Sequence, residues 1–239
     1  MFSDILRTQV SEITRVMVNS RRLLVAFSGV DGSGKSTQIR MLEERLAKTR
    51  VRVLHIRCRW RPVVSLPLLV VFRKLGYAKY HIGGGSYIVE TRLAGKRGLA
   101  SLWIILTQLE NVVKTGLKLV FPMLLGRSVI CDRYVLDMLV DGMAGLHDRP
   151  GRMRLGFNLL RLFPRPDFAF FMDIDPEVAF KRKPDLPTLE DYVERLRLYR
   201  ELSSLWGVTV VNARSSPETI HGELWDGISA KVSDRKRVG

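Results

Sequence analysis

The stretch Leu23–Thr37 reads LLVAFSGVDGSGKST. Leu23–Phe27 is an apolar run of strand length. Gly29, Gly34, Lys35 and Ser36 then fit the G-x-x-x-x-G-K-[ST] spacing of a phosphate-binding loop. Glycines let successive backbone N–H groups curl around an anionic phosphate, a conformation that side chains would obstruct. The loop opens into a helix over 36–48, with Ile39, Leu42 and Leu46 on one face and a partial positive charge at its N-terminus. In such a loop Gly29, Asp31, Gly32, Ser33, Gly34 and Thr37 surround the phosphates of ATP. Lys35 reaches the β- and γ-phosphates, and the Ser36 hydroxyl ligates Mg²⁺.

Working outward, the bulk properties narrow the class. The chain has 239 residues, enough for a substantial core, and 46% hydrophobic with 26% charged residues excludes disorder. Lys and Arg outnumber Asp and Glu by 39 to 24, a net +15, which calls for an anionic partner: nucleotide phosphates, nucleic acid or an acidic membrane surface. No basic strand pair interleaved with aromatics and no helix-turn-helix pattern is evident, so nucleic acid is disfavoured. Cys58 and Cys131 lie in apolar runs and read as buried thiols of a reducing, cytoplasmic compartment; neither they nor the four histidines have metal-ligand spacing. Asp4, Arg7 and Glu12 interrupt the N-terminus, which is therefore not expected to be a secretory signal. The longest uncharged runs, Pro62–Phe72 and Gly98–Leu109, fall short of the roughly 20 residues of a membrane span. Peripheral membrane contact stays open, because Arg57, Arg59, Arg61, Arg73 and Lys74 bracket the first run.

Along the chain, Phe2, Ile5, Leu6, Val10, Ile13 and Met17 give an N-terminal amphipathic helix over 1–20. Residues 21–232 form one α/β domain, and 233–239 a frayed basic tail. Strands are expected at 23–27, 51–58, 127–131, 167–174 and 208–211. Apolar helical patterns over about 66–76 and 99–120 are separated by a flexible break at 83–86 (GGGS). The polar side of the second, with Gln108, Glu110, Asn111, Lys114 and Lys118, fits a pocket wall or a solvated face equally well. Asp175-Pro176-Glu177 starts a short helix that stops at Lys181-Arg182-Lys183-Pro184, and Thr188 with Asp191 forms a capping box. Alternating strands and helices imply a five-stranded parallel sheet with helices on both faces, a three-layer P-loop NTPase fold with ligands at the carboxyl ends of the strands.

Phosphoryl transfer needs aligned phosphates, Mg²⁺ and cations that spread the charge of the transferred group. Asp132, at the end of an apolar strand, suits the metal; the competing reading is a cap for the following helix. Arg133 beside it faces the phosphates unless it merely solvates the surface. Arg182 and Lys183 suit a basic lid over the γ-phosphate, although a helix C-terminus attracts cations for dipole reasons alone.

Three stretches together resemble the thymidylate kinase group of P-loop nucleoside monophosphate kinases: GVDGSGKST (29–37), VICDRY (129–134) and PDFAFFMDIDPEVAFKRK (166–183). The helix ending in LYRELS (198–203) adds to the likeness, which spans about 22–215. The resemblance implies an ATP- and Mg²⁺-dependent kinase with nucleotide substrates, most naturally dTMP to dTDP. It makes Lys35, Asp132, Arg133 and Arg182 catalytic and gives the metal to Ser36 and Asp132. It brings Asp31, Arg57 and Arg133 to the acceptor, leaves that side of the helix before the third strand to Gln108, and is compatible with a homodimer. The phosphate loop carries no arginine, so the lid supplies it. The acceptor half departs from the family: Cys58-Arg59-Trp60-Arg61-Pro62 replaces an E-P-G-G-like turn, Gln108, Glu110 and Asn111 stand where an arginine is usual, and Val135-Leu136-Asp137-Met138 replaces small and aromatic residues. A kinase of the same fold acting on a sugar or lipid-linked acceptor, at a membrane surface, is the alternative.

Overall fold

A computed structural model of the chain describes residues 22–49, 51–58, 63–83, 86–91, 97–146 and 163–237. The expected helix at 1–20, Arg59, Arg61 and most of the basic stretch 149–165 lie outside them. The described elements are β1 (Leu24–Ser28), α1 (Lys35–Lys48), β2 (Val53–Arg57), α2 (Leu66–Lys74), β3 (Ala78–Gly83), β4 (Ser86–Thr91), α3 (Arg97–Leu124), β5 (Ser128–Asp132), α4 (Val135–Leu146), β6 (Phe168–Asp173), α5 (Pro176–Arg182), α6 (Leu189–Leu205), β7 (Thr209–Asn212) and α7 (Pro217–Arg237).

Five strands make one all-parallel sheet in the order β2-β5-β1-β6-β7, flanked by helices, as the alternating pattern implies. This is the α/β architecture of a P-loop NTPase. β1 is central and wholly buried, the burial expected of a strand covered on both faces. Its register sets Phe27 opposite Asp132 on one side and Ser28 opposite Phe171 on the other. The carboxyl ends of β1, β5 and β6 therefore open at one edge of the sheet. Ile39, Leu42 and Leu46 of α1 seal one face, and Tyr192, Leu196, Tyr199 and Leu202 bury the inner side of α6. The capping box forms as its spacing requires: the Asp191 N–H donates to Thr188 Oγ1 and the Thr188 N–H to Asp191 Oδ2.

Two expectations are corrected. The GGGS stretch is the corner of an antiparallel hairpin, β3–β4, with Gly83 paired to Ser86 across a two-residue connection. Tyr80 to Ile82 and Tyr87 to Val89 are aromatic or mostly β-branched, and such residues beside a Gly-Gly pair favour a hairpin. α7 continues to Arg237, into the region expected to be a frayed tail.

The polar side of α3 is not a solvated face. Gln108, Glu110 and Asn111 are all buried. The Glu110 carboxylate accepts from the N–H groups of Val63, Val64 and Ser65, from Ser65 Oγ and from Lys114 Nζ at 2.6 Å. It thus holds the segment that leads into α2 from another element, and its charge lies at that helix's N-terminal end. Burial raises its pKa, but the bonds from Lys114, Ser65, Val64 and Val63 outweigh that and hold it near 2. Phe72 then packs against Trp103, with ring centroids 5.7 Å apart, fixing α2 on α3. Glu110→Ala leaves three backbone donors unmet and should cost about 2–4 kcal/mol in urea unfolding. Because the folded pKa is depressed, this stabilisation is present above the unfolded value of 4.5 and lost as pH falls towards 2. An unchanged midpoint for the variant would contradict this role.

Candidate functional site

The loop between β1 and α1 turns on three glycines in left-handed conformations, Gly29 (φ 139°), Gly32 (φ 85°) and Gly34 (φ 89°). Gly32 is also a contact point: a Cβ there would lie 2.5 Å from the Ala179 carbonyl oxygen, so the loop presses directly on α5. Gly34 is the N-cap of α1, which has no side-chain cap and no acid in its first turn. Its N-terminal amides are left for an anion.

Lys35 is buried beneath the loop, its Nζ donating to the carbonyls of Gly29 at 2.8 Å and Val30 at 2.7 Å. Burial, then the Arg133 charge, lower its pKa from 10.5 to about 8, against the opposing pull of Asp31, Asp137 and Asp132. The ammonium stays protonated near neutral pH but loses its proton more readily than an exposed lysine, and a neighbouring polyanion would favour its charged form.

Arg133 follows the end of β5 with φ 70°, a left-handed conformation that costs a non-glycine residue roughly 1–2 kcal/mol. Its N–H donates to the Phe27 carbonyl at 2.8 Å, which ties the turn to β1. Its guanidinium is buried, with Nη2 2.6 Å from Asp31 Oδ2 and Nη1 3.4 Å from Asp137 Oδ1. Strained backbone of this kind persists where the surroundings over-determine it.

Asp132 ends β5 and is not a helix cap. Oδ2 lies 3.5 Å from Arg57 Nε, and Oδ1 is buried with no hydrogen-bond partner among the described residues. An orphaned buried carboxylate oxygen at the mouth of a phosphate loop suits a hard cation. No cluster of three or more metal-ligating side chains exists among the described residues.

One cavity of about 540 Å³ collects these parts. It is lined by the loop from Asp31 through Thr37, by Asp132 and Arg57 from the β5–β2 side, and by Arg182 and Lys183 from the end of α5. Ala213, Ser215, Pro217 and Ile220 close it from the β7–α7 turn. Gln38 Nε2 bonds the Pro217 carbonyl at 2.9 Å, anchoring that turn to α1. Of the residues singled out in the sequence, Asp31, Gly32, Ser33, Gly34, Lys35, Ser36, Thr37, Arg57, Asp132 and Arg182 meet here. Gly29 and Arg133 stand just beneath, through the contacts above. Gln108 is buried on α3 with Oε1 unpaired and is not part of this lining.

Asp137 went unrecognised as a site residue in the sequence. It is buried, receiving the N–H of Gly29 at 3.3 Å and of Tyr134 at 2.9 Å and the Tyr199 hydroxyl at 2.7 Å, beside the Arg133 contact. Burial pushes its carboxyl up, opposed by Arg133, Lys35, Ser28 and Tyr199. Its one local signal was an acid in the first turn of α4; its main partners are about 60 and 108 residues away. Lys183, expected in a lid, sits 3.6 Å from Asp31 Oδ1 and 2.9 Å from Asp185 Oδ2.

No family model matches the chain. Curated relatives do. The probable thymidylate kinase of Methanocaldococcus jannaschii is 24% identical over 207 residues, 84% of this chain and 93% of that protein. The probable thymidylate kinase of Pyrococcus horikoshii is 26% identical over 213 residues, covering 85% and 94%. The thymidylate kinase of Xanthomonas campestris is 26% identical over 228 residues, covering 91% and 87%. This chain is similar to thymidylate kinases over most of its length.

The lowered pKa of Lys35 sets a proton-linkage test. Above pH 8 the free protein holds Lys35 increasingly neutral, so binding of ATP should take up protons and weaken as pH rises from 8 to 10. Calorimetry in buffers of different ionisation heat reads this uptake; proton-neutral binding at pH 8.5 would contradict it.

Proposed function

We propose that this protein is an ATP- and Mg²⁺-dependent nucleoside monophosphate kinase, converting dTMP to dTDP. The observation that carries the reading is the convergence of Lys35, Asp132 and Arg182 on one cavity at the glycine loop. The likeness to thymidylate kinases supports the nucleotide acceptor. Among the described residues no helix is long and apolar enough to cross a membrane.

The chemistry follows from the geometry. The loop amides and the N-terminus of α1 seat the phosphate chain of ATP. Lys35 exchanges the carbonyls of Gly29 and Val30 for phosphate oxygens, trading neutral acceptors for charged ones. The Ser36 hydroxyl and the orphan oxygen of Asp132 would hold Mg²⁺. Held there, the ion would supply positive charge against the negative charge that develops on the transferred phosphoryl group. Arg182, at the end of a short helix fixed by Asp175 and Pro176, supplies the cation that the loop lacks. Arg57 lines the cavity beside Asp132, where an acceptor phosphate would be drawn in line with the γ-phosphorus, and Arg133 adds its charge from beneath through Asp31. Asp31 is partnered by Arg133 and Lys183, so an acceptor hydroxyl reaching it would compete with these cations.

An acceptor screen by ADP release tests the proposal. Purified protein with Mg-ATP should turn over dTMP in preference to other nucleoside monophosphates. Lys35→Ala and Arg182→Ala should each lower kcat by roughly 10²-fold or more. Failure to form a diphosphate from any nucleoside monophosphate would overturn it.

A further inference from the structure

The segment that follows Arg182 is short and stiff. Residues 183–188 (KPDLPT) join α5 to α6 and include two prolines, whose rings fix φ. Lys183 leaves α5 in an extended conformation (φ −157°, ψ 95°), as a residue before proline prefers. Its carbonyl accepts the Asp185 N–H at 2.9 Å, which closes a three-residue turn around Pro184. Arg182 and Lys183, at the entrance to this turn, both line the cavity.

Tyr192 holds the turn from α6. The capping box of Thr188 and Asp191 sets the first turn of that helix. Helical side chains tilt towards the N-terminus, so Tyr192 reaches back over the incoming chain. Its ring is fully buried and meets the Phe180 ring of α5 edge-on, with centroids 5.6 Å apart. Its hydroxyl donates to the Lys183 carbonyl and accepts the Asp185 N–H at 3.1 Å. Both ends of the turn thus meet on one oxygen. Ring packing is non-directional, whereas two hydrogen bonds fix the register of the turn. The contact of Gly32 with Ala179 sets the body of α5; the hydroxyl sets the end that bears the cations. Tyr192 itself is not among the residues that line the cavity, so what it contributes passes through Arg182 and Lys183.

We propose that Tyr192 is a positioning residue for phosphoryl transfer: its hydroxyl keeps the 183–185 turn, and with it Arg182, presented to the phosphate loop before a nucleotide arrives. The inference rests on the kinase reading and adds to it a lid cation that is held in place in advance.

Steady-state kinetics of ADP release test it. Tyr192→Phe keeps the ring against Phe180 and removes only the hydroxyl. Its kcat with Mg-ATP and dTMP should fall about tenfold, with both KM values changed less than about twofold. A hydroxyl that served stability alone would lower the melting temperature and leave kcat of the folded enzyme intact. Coupling to Arg182 is the sharper readout. In the Arg182→Ala background the same substitution should lower kcat by less than about twofold, because the group it positions is gone. With an active wild-type enzyme, an unchanged kcat for Tyr192→Phe overturns this inference and leaves the kinase reading standing. A loss that multiplies with that of Arg182→Ala overturns it equally. A wild-type protein that forms no diphosphate from any nucleoside monophosphate overturns both.

Discussion

Two buried cations, Lys35 and Arg133, sit among three carboxylates at the carboxyl edge of the sheet, and the rest of the site depends on how their charges are met. Asp137 is the hub. Through one carboxylate it holds the first glycine of the loop, the turn after β5, the Arg133 guanidinium and the Tyr199 hydroxyl of α6. Asp31 closes the circuit by gripping Arg133 from the loop side. Such a network is costly to desolvate and ties loop, strand end and helix to one another, with Arg133 Nε its one guanidinium nitrogen that has no hydrogen-bond partner among the described residues. The left-handed Arg133 is one sign of that constraint. Tyr199, stacked on Phe171 with centroids 5.1 Å apart, ties the network to the core.

Above this floor the cavity is assembled from groups that still have capacity to bind. Lys35 rests on neutral carbonyls, one oxygen of Asp132 has no hydrogen-bond partner, and the first turn of α1 has no cap. Arg182 and Lys183 arrive from α5, whose position is fixed by the contact of Gly32 against Ala179. A loop that could not shift from α5 without unpacking would keep donor phosphates and lid cations at a constant spacing. The division of labour is a rigid, charge-neutralised base beneath a set of unsatisfied groups aimed at phosphate.

The parts of this arrangement written in local spacing were legible in the sequence: the glycine loop and its helix, the alternation of strands and helices, the capping box at Thr188 and the short helix at Pro176. Each depends on residues within a few positions of one another. The hairpin at 78–91 was missed because its glycines look the same in a break and in a tight turn; only the cross-strand pairing decides between them. Glu110 and Asp137 were missed for a different reason. Beside local partners such as Lys114 and Tyr134, each holds groups tens of residues away, and an acid that holds a distant segment has the same local pattern as one that faces water. Gln108, singled out because an arginine is usual nearby, is buried on α3 and does not join the cavity lining.

The most direct test of the central claim is a crystal structure with Mg²⁺ and a non-hydrolysable ATP analogue. The account predicts Lys35 Nζ drawn off the carbonyls of Gly29 and Val30 onto the β- and γ-phosphates, with the ion held between Ser36 and the orphan oxygen of Asp132. A nucleotide bound elsewhere, or a Lys35 still bonded to its own loop with phosphates in place, would contradict it.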